Sequence, residues 1–293
     1  MWQAVFVRDA LLRAHSGLHI ELVGITTEGD RTLDVPLAEK GGKGLFLKEL
    51  EQALLDGRID LAVHSMKDVT VTEPDGLHIP VICEREDPHD ALVSTRFGDL
   101  CELPDGAVVG TCSLRRQSLL RYRFPQLKVE NLRGNVNRRL QRLDDGDFDA
   151  IILAAAGLLR LQMAGRIRQR IPTGIMLPAV GQGAVGVQCR ADDAKTTSLL
   201  APLDHVPTHA RITAERAANV HLGGGCHLPI GAFAEIEGEQ LRLRGLVGRP
   251  DGSNILFASA KGLVSEAEAV GHTLADDLLG QGAKALLQEF ANA

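Results

Sequence analysis

The sequence predicts an α/β protein that closes with a small α+β domain, and three observations carry the prediction. Between residues 60 and 160, short apolar runs alternate with helical patterns, the order expected of a parallel sheet flanked by helices. Several runs end beside charged residues, namely Lys67 and Asp68, Arg115 and Arg116, Arg133, then Arg160. Ligands in open α/β sheets bind beyond the carboxyl ends of strands. From residue 241 the pattern becomes strict alternation around Pro250-Asp-Gly-Ser253, which predicts an antiparallel hairpin.

A chain of 293 residues has material for two or three domains with proper cores. Hydrophobic content of 44% and charged content of 24% are those of a globular protein. The longest apolar stretch, residues 150–159, is too short to span a bilayer, and the amino terminus lacks the apolar core of a secretory signal. Five cysteines, widely spaced and without a Cys-x-x-Cys pair, predict reduced thiols, a cytoplasmic setting and no metal site. Net charge is −6, yet residues 111–170 hold twelve Arg and one Lys against four Asp and one Glu, a local +8. That stretch calls for an anionic partner. It offers few aromatic platforms, such as Tyr122 and Phe124, so small polycarboxylates or phosphates suit it better than nucleic acid.

Residues 2–15 have helical spacing, and residues 18–25 read as a strand. The glycine-rich loop from Lys40 to Lys48 leads into a helix over 45–55; it either offers backbone N–H groups to an anion or is a plain junction, and it lacks Walker spacing. Residues 61–63 form a buried strand that opens at His64 to Asp68. There a carboxylate beside a lysine works as a general acid or holds cationic charge, unless it is a surface ion pair. Further strands are expected at 78–83, 107–110, 128–132 and 149–156, with residues 84–90 crossing between domains. Thr111, Ser113, Arg115 and Arg116 form a hydroxyl-bearing turn into a helix start, an arrangement that binds anions. Adjacent arginines point about 100° apart, so one can bind ligand while the other is structural. Gly134 allows close backbone approach between Arg133 and Arg139. Residues 178–186, with Gln182 as their polar side chain, are a packing turn, a ligand wall or a second crossing. After a helix over 208–220, three glycines expose Cys226, which suits covalent attachment unless the thiol is incidental. Ser265-Glu-Ala-Glu268 reads as a capping box that starts the last long helix.

Seven stretches fall in order along nearly the whole chain: Gly41-Gly-Lys-Gly-Leu-Phe46, Val63-His-Ser-Met-Lys-Asp68, Cys83-Glu-Arg-Glu-Asp-Pro88, Gly110-Thr-Cys-Ser-Leu-Arg-Arg116, Leu132-Arg-Gly-Asn-Val136, Pro178-Ala-Val-Gly-Gln-Gly183 and Gly224-Gly-Cys-His-Leu-Pro-Ile-Gly231. Together they resemble the porphobilinogen deaminase family. The resemblance implies two α/β domains like the halves of a periplasmic binding protein, residues 1–84 with 184–202 and residues 88–180, and a cysteine-loop domain over 205–293. It implies a transferase of tetrapyrrole (heme) biosynthesis that joins four porphobilinogen molecules head to tail, with loss of ammonia, into hydroxymethylbilane. The chain would grow on a dipyrromethane cofactor held by a thioether to Cys226. Carried over, Ser65, Lys67, Asp68, Thr111, Ser113, Arg115, Arg116 and Gly134 hold the cofactor; Arg133, Arg139, Arg160 and Gln182 hold the incoming ring; Asp68 is catalytic. The family implies a monomer without membrane or nucleic-acid partners. Its pattern opens with a strand ending in Arg-x-Ser-x-Leu-Ala ahead of Trp-Gln-Ala, whereas this chain starts at Met1-Trp2-Gln3-Ala4. The expectation is a first domain short of one strand, and the alternative function is an inactive or binding-only homologue.

Overall fold

A computed structural model describes residues 1–25, 47–225 and 228–291. The glycine-rich loop up to Phe46 and Cys226 with His227 lie outside the described residues. Three sheets organise the chain.

The first sheet contains β1 (Leu61–Ser65), β2 (Leu77–Ile82) and β8 (Val185–Arg190), in the order β1-β8-β2. β8 comes back from more than a hundred residues downstream to pair antiparallel with both, Ser65 facing Val185 and Ile82 facing Gly186. Helix α1 (Trp2–Ala14) buries Val7 and Leu11 against Val81, Val187 and Cys189 of this sheet. Helix α2 (Lys48–Leu55) places Leu54 against Ala62 and Leu77. Residues 18–25 are not a strand, contrary to their apolar pattern. Short apolar runs do not distinguish strand from packed coil, and Leu18 and Ile20 are only half-buried against the α1 core.

The second sheet has the order β5-β4-β6-β3-β7, from β3 (Asp90–Val93), β4 (Val108–Gly110), β5 (Lys128–Glu130), β6 (Ala150–Ala154) and β7 (Gln169–Ile171). The expected parallel pairs are there, β4 with β5 and β4 with β6. β3 lies antiparallel between β6 and β7, so the sheet is mixed. All four residues of β3 are buried, and β6 is buried over Ala150–Leu153, which is why both are almost wholly apolar. Helices α3 (Leu114–Arg123), α4 (Val136–Asp144) and α5 (Ala155–Arg160) cover the faces, with Leu119 and Leu120 on one side and Leu140, Leu143 and Leu158 on the other.

The third sheet is the antiparallel meander β9 (Ile230–Glu237), β10 (Gln240–Gly248) and β11 (Ile255–Leu263). Between the first and third sheets run α6 (Ala194–Leu200) and α7 (Val206–His221); α8 (Ala267–Gly280) and α9 (Ala283–Ala291) finish the chain. Leu241, Leu243 and Val247 of β10 meet Ala214 and Ala218 of α7 and Leu274 and Leu278 of α8. The expected hairpin is β10–β11. The last long helix starts differently from the expected box: Glu266, not Ser265, turns back to accept the Leu263 N–H (3.4 Å), and a short 3-10 turn over Val264–Glu266 precedes α8.

The chain passes from the first sheet to the second through residues 83–89 and returns through residues 172–184. These two segments touch: Glu86 N–H donates to Gly183 O (3.1 Å). Gly183 has φ +88°, and a Cβ there would stand 2.4 Å from Glu86 O. Gly183→Ala is therefore expected to lower the unfolding free energy by about 1–3 kcal/mol through strain and displacement of the partner backbone, read as a lower urea midpoint; an unchanged midpoint would show that residues 83–89 move aside freely.

Candidate active site

At the end of β1 the chain enters a 3-10 turn, Met66–Asp68. Met66 is buried and its N–H donates to Ala184 O (3.0 Å), which ties the turn to the returning crossing. Gly181, at φ +70°, makes room for it, because a Cβ there would come within 2.8 Å of Met66 Cβ. The glycines of residues 178–186 thus pack against the turn that presents Lys67 and Asp68. Behind the turn, buried His64 bonds through Nε2 to Gln188 Oε1 (3.0 Å), so the neutral imidazole carries its proton on Nε2.

Asp68 is exposed and Lys67 half-buried. Burial pulls the Lys67 pKa down; Asp68 opposes this, Arg116 adds to it, Asp90 opposes it, and Arg139 adds to it again. The Arg139 guanidinium is likewise lowered by burial, with Arg116 and Arg133 acting in the same sense and Cys112 and Asp68 opposing. Lys67 and Asp68 of the first sheet therefore share one electrostatic environment with Arg116, Arg133 and Arg139 of the second.

Two cavities open onto this place. One of about 300 Å³ lies between Ser65 and Lys67 on one side and Ala154, Gly157 and Arg160 on the other. The second, about 50 Å³, is lined by Lys67, Ser113, Arg115, Arg216, Asn219 and Gly225. Lys67 belongs to both. Gly225 is the residue immediately before Cys226.

Residues 1–198 match the family model for the porphobilinogen deaminase dipyromethane cofactor binding domain, and residues 209–280 match that for the porphobilinogen deaminase C-terminal domain. The chain belongs to the porphobilinogen deaminase family. Solved structures similar to this porphobilinogen deaminase relative include an ABC-transporter periplasmic substrate-binding protein from Coxiella burnetii (15% identity, 69% of this chain and 86% of that one, TM-score 0.43). A nutrient-binding protein from Burkholderia cenocepacia bound to methionine is comparable (15%, 68% and 86%, TM-score 0.42). So is a double mutant of the BvgS VFT2 domain of Bordetella pertussis (19%, 68% and 75%, TM-score 0.40).

The residues expected to hold the cofactor and the incoming ring divide into two groups here. In the first, most donors are committed to the protein. Arg116 gives Nε and Nη2 to Asp90 Oδ1 (3.0 and 2.7 Å) and Nη1 to Ile152 O (2.9 Å). Arg115 places Nη1 2.8 Å from Asp90 Oδ2 and 2.5 Å from Leu177 O. Both arginines converge on one buried acid, and Arg115 keeps its Nε without a partner. Gln182 is also redirected: at 1% exposure it donates to Pro88 O (2.7 Å) and Asp90 Oδ1 (3.0 Å), so it positions Asp90 and offers nothing to an incoming ring. Thr111 is buried and accepts from Ser113 N–H, while Ser113 caps α3 by accepting from Arg116 N–H.

The second group keeps donors to spare. Arg133 is half-buried and makes no hydrogen bond or ion pair among the described residues. Arg139 spends Nε on Gly134 O (2.6 Å), and Arg160 spends Nη2 on Gly183 O (2.7 Å) while lying over the Trp2 ring. Ser65 accepts from Gln3 Nε2 (2.6 Å) at the rim of the larger cavity. The dipyrromethane of this family fits the donor set: Arg115 Nε is buried without a partner beside the smaller cavity, and three cations, Lys67, Arg115 and Arg216, line it.

Sequence reasoning missed Asp90, Glu215 and Arg216. Asp90 is fully buried at the head of a four-residue strand, too short for its periodicity to register. Burial alone would raise its pKa, but Arg115, Arg116 and Gln182 outweigh that and hold it down at about 2. Asp90→Asn would leave two buried guanidiniums without their counter-charge and is expected to cost about 3–5 kcal/mol in a denaturant titration; a loss under 1 kcal/mol would show that the pair is dispensable. His64 supplies a pH test. Burial, against the opposing Gln188 bond, lowers its pKa to about 4, whereas in the unfolded chain a histidine titrates near 6.5. The unfolded state therefore takes the proton first, so stability is full above about pH 6.5 and declines as pH falls towards 4. Urea midpoints measured across that window should fall with acidification, and His64→Gln should flatten the slope.

Proposed function

We propose that this chain is a porphobilinogen deaminase that joins four porphobilinogen molecules head to tail into hydroxymethylbilane, on a dipyrromethane attached to Cys226. The observation that carries the reading is Lys67 with Asp68: one turn sets an exposed acid beside a cation that lines two cavities, one walled by the residue next to Cys226 and the other by Arg160. The units assigned are residues 1–84 with 184–202, residues 88–180 and residues 205–293. The enzyme acts as a cytoplasmic monomer without nucleic-acid partners. Among the described residues no helix is long and apolar enough to cross a membrane.

When bound, the dipyrromethane supplies an electron-rich pyrrole carbon as the first acceptor. Lys67, Ser113, Arg115 and Arg216 would receive its carboxylates, because their donors line the cavity beside Gly225. Arg133, Arg139 and Arg160 would hold the carboxylates of the incoming porphobilinogen, as they retain guanidinium donors. Each condensation breaks the aminomethyl C–N bond, forms a C–C bond and releases ammonia. Asp68 gives a proton to the departing amine, faces the cationic carbon that results, and recovers a proton from the acceptor ring carbon, so charge and protons balance.

The test is the intact mass of the purified chain before and after incubation with porphobilinogen. A starting mass two pyrrole units above the sequence value, absent in Cys226→Ser, and further one-ring steps on incubation are expected. Asp68→Asn should retain the starting adduct while turnover falls about a hundred- to ten-thousand-fold. A bare mass that never changes would leave only an inactive or binding-only homologue.

A further inference from the structure

A cavity of about 430 Å³ lies away from the cleft, on the outer face of the third sheet where it meets the second unit. Leu246 and Phe233 of that sheet pack against Leu119, Leu120 and Leu177, and the hairpin tip reaches α3 through Arg121 Nη1 to Pro250 O (2.6 Å). The cavity occupies the open end of this seam. Its size falls within the range of small-molecule sites.

Three arginines converge on it. Arg242 and Arg244 alternate on β10 and so project from the same face, and Arg123 comes from the end of α3. Arg242 makes no hydrogen bond or ion pair among the described residues. Arg123 gives Nη2 to Gly174 O (2.8 Å) and has no carboxylate partner among the described residues. Arg244 is neutralised by Glu235 (2.9 Å) and also bonds Thr173 Oγ1 (2.8 Å), but its Nε is buried without any partner. The one carboxylate in the lining, Asp277, already accepts from Gln281 Nε2 (3.2 Å). Phe257 supplies an aromatic wall, 42% exposed and backed by Tyr122 at a ring distance of 6.2 Å.

Two guanidiniums without a carboxylate partner among the described residues, and an orphaned buried N–H beside an exposed ring, make an incomplete arrangement. An anion would complete the donors, and a flat apolar body would cover the ring. We infer that this seam is a second binding site, distinct from the cleft, for a small planar aromatic carboxylate. Since its walls belong to both units, an occupant ties the third sheet to α3.

Indole-3-carboxylate titrated calorimetrically into the full-length chain tests the site, with indole-3-carboxamide as the uncharged control. Expected are one molecule bound per chain, at least about tenfold weaker binding in Arg242→Gln and in Arg123→Gln, no binding of the carboxamide, and unchanged affinity in Arg133→Gln. Both pocket substitutions alter exposed side chains, and unchanged thermal unfolding would show that they fold. Absence of saturable binding at millimolar concentration, equal binding of the carboxamide, or loss of binding in Arg133→Gln with retention in Arg242→Gln would each overturn the inference. None of these readouts depends on turnover, so the site stands or falls independently of the deaminase reading.

Discussion

Two buried carboxylates hold the three sheets in register. Glu215, on α7, is 0% exposed and accepts Arg85 from the first crossing (2.7 and 3.3 Å), Gly181 N–H from the second (2.8 Å) and Ala234 N–H from β9 (2.9 Å). Asp90 gathers Arg115 and Arg116 from α3 and Gln182 from the second crossing. The two acids thus grip neighbouring residues, Gly181 and Gln182, of one segment. Charges this deeply buried need complete partnering, since removing one member strands the other. The crossings are pinned by hydrogen-bonded ion pairs and only secondarily by apolar contact.

The pinning sorts the basic residues. In a stretch with a net +8, Arg116 and Arg115 Nη1 serve the frame around Asp90, whereas Arg133, Arg139 and Arg160 make no ion pair among the described residues and retain donors. A cluster of guanidiniums held only by one another would repel and lose hydration. Asp90 offsets two of them, and burial lowers the pKa of Lys67 and of Arg139, so each holds its proton less tightly than in water. The result is a cleft that is cationic without being saturated by internal carboxylates.

Much of this was legible in the residues, and the parts that were not share a cause. The Lys67-Asp68 turn, the capped start of α3 and the β10–β11 hairpin are encoded over a few consecutive positions, so local pattern suffices. β3 and β8 are different: one is four residues long, and the other belongs to a sheet whose first strand lies 120 residues earlier. Adjacent arginines on a helix diverge at Cα, yet their long side chains let Arg115 and Arg116 meet on Asp90, a convergence that only the tertiary partner decides. The glycines of 178–186 read equally as turn, wall or crossing until Met66 and Glu86 are seen pressed against them.

Lys67 is the common wall of the two cleft cavities. Its ammonium is destabilised by burial, so each carboxylate that arrives on either side strengthens its hold on its proton. Carboxylates on either side of it would thus draw on the same ammonium, with no change in backbone required. Filling one chamber alters the electrical welcome given to whatever comes next in the other.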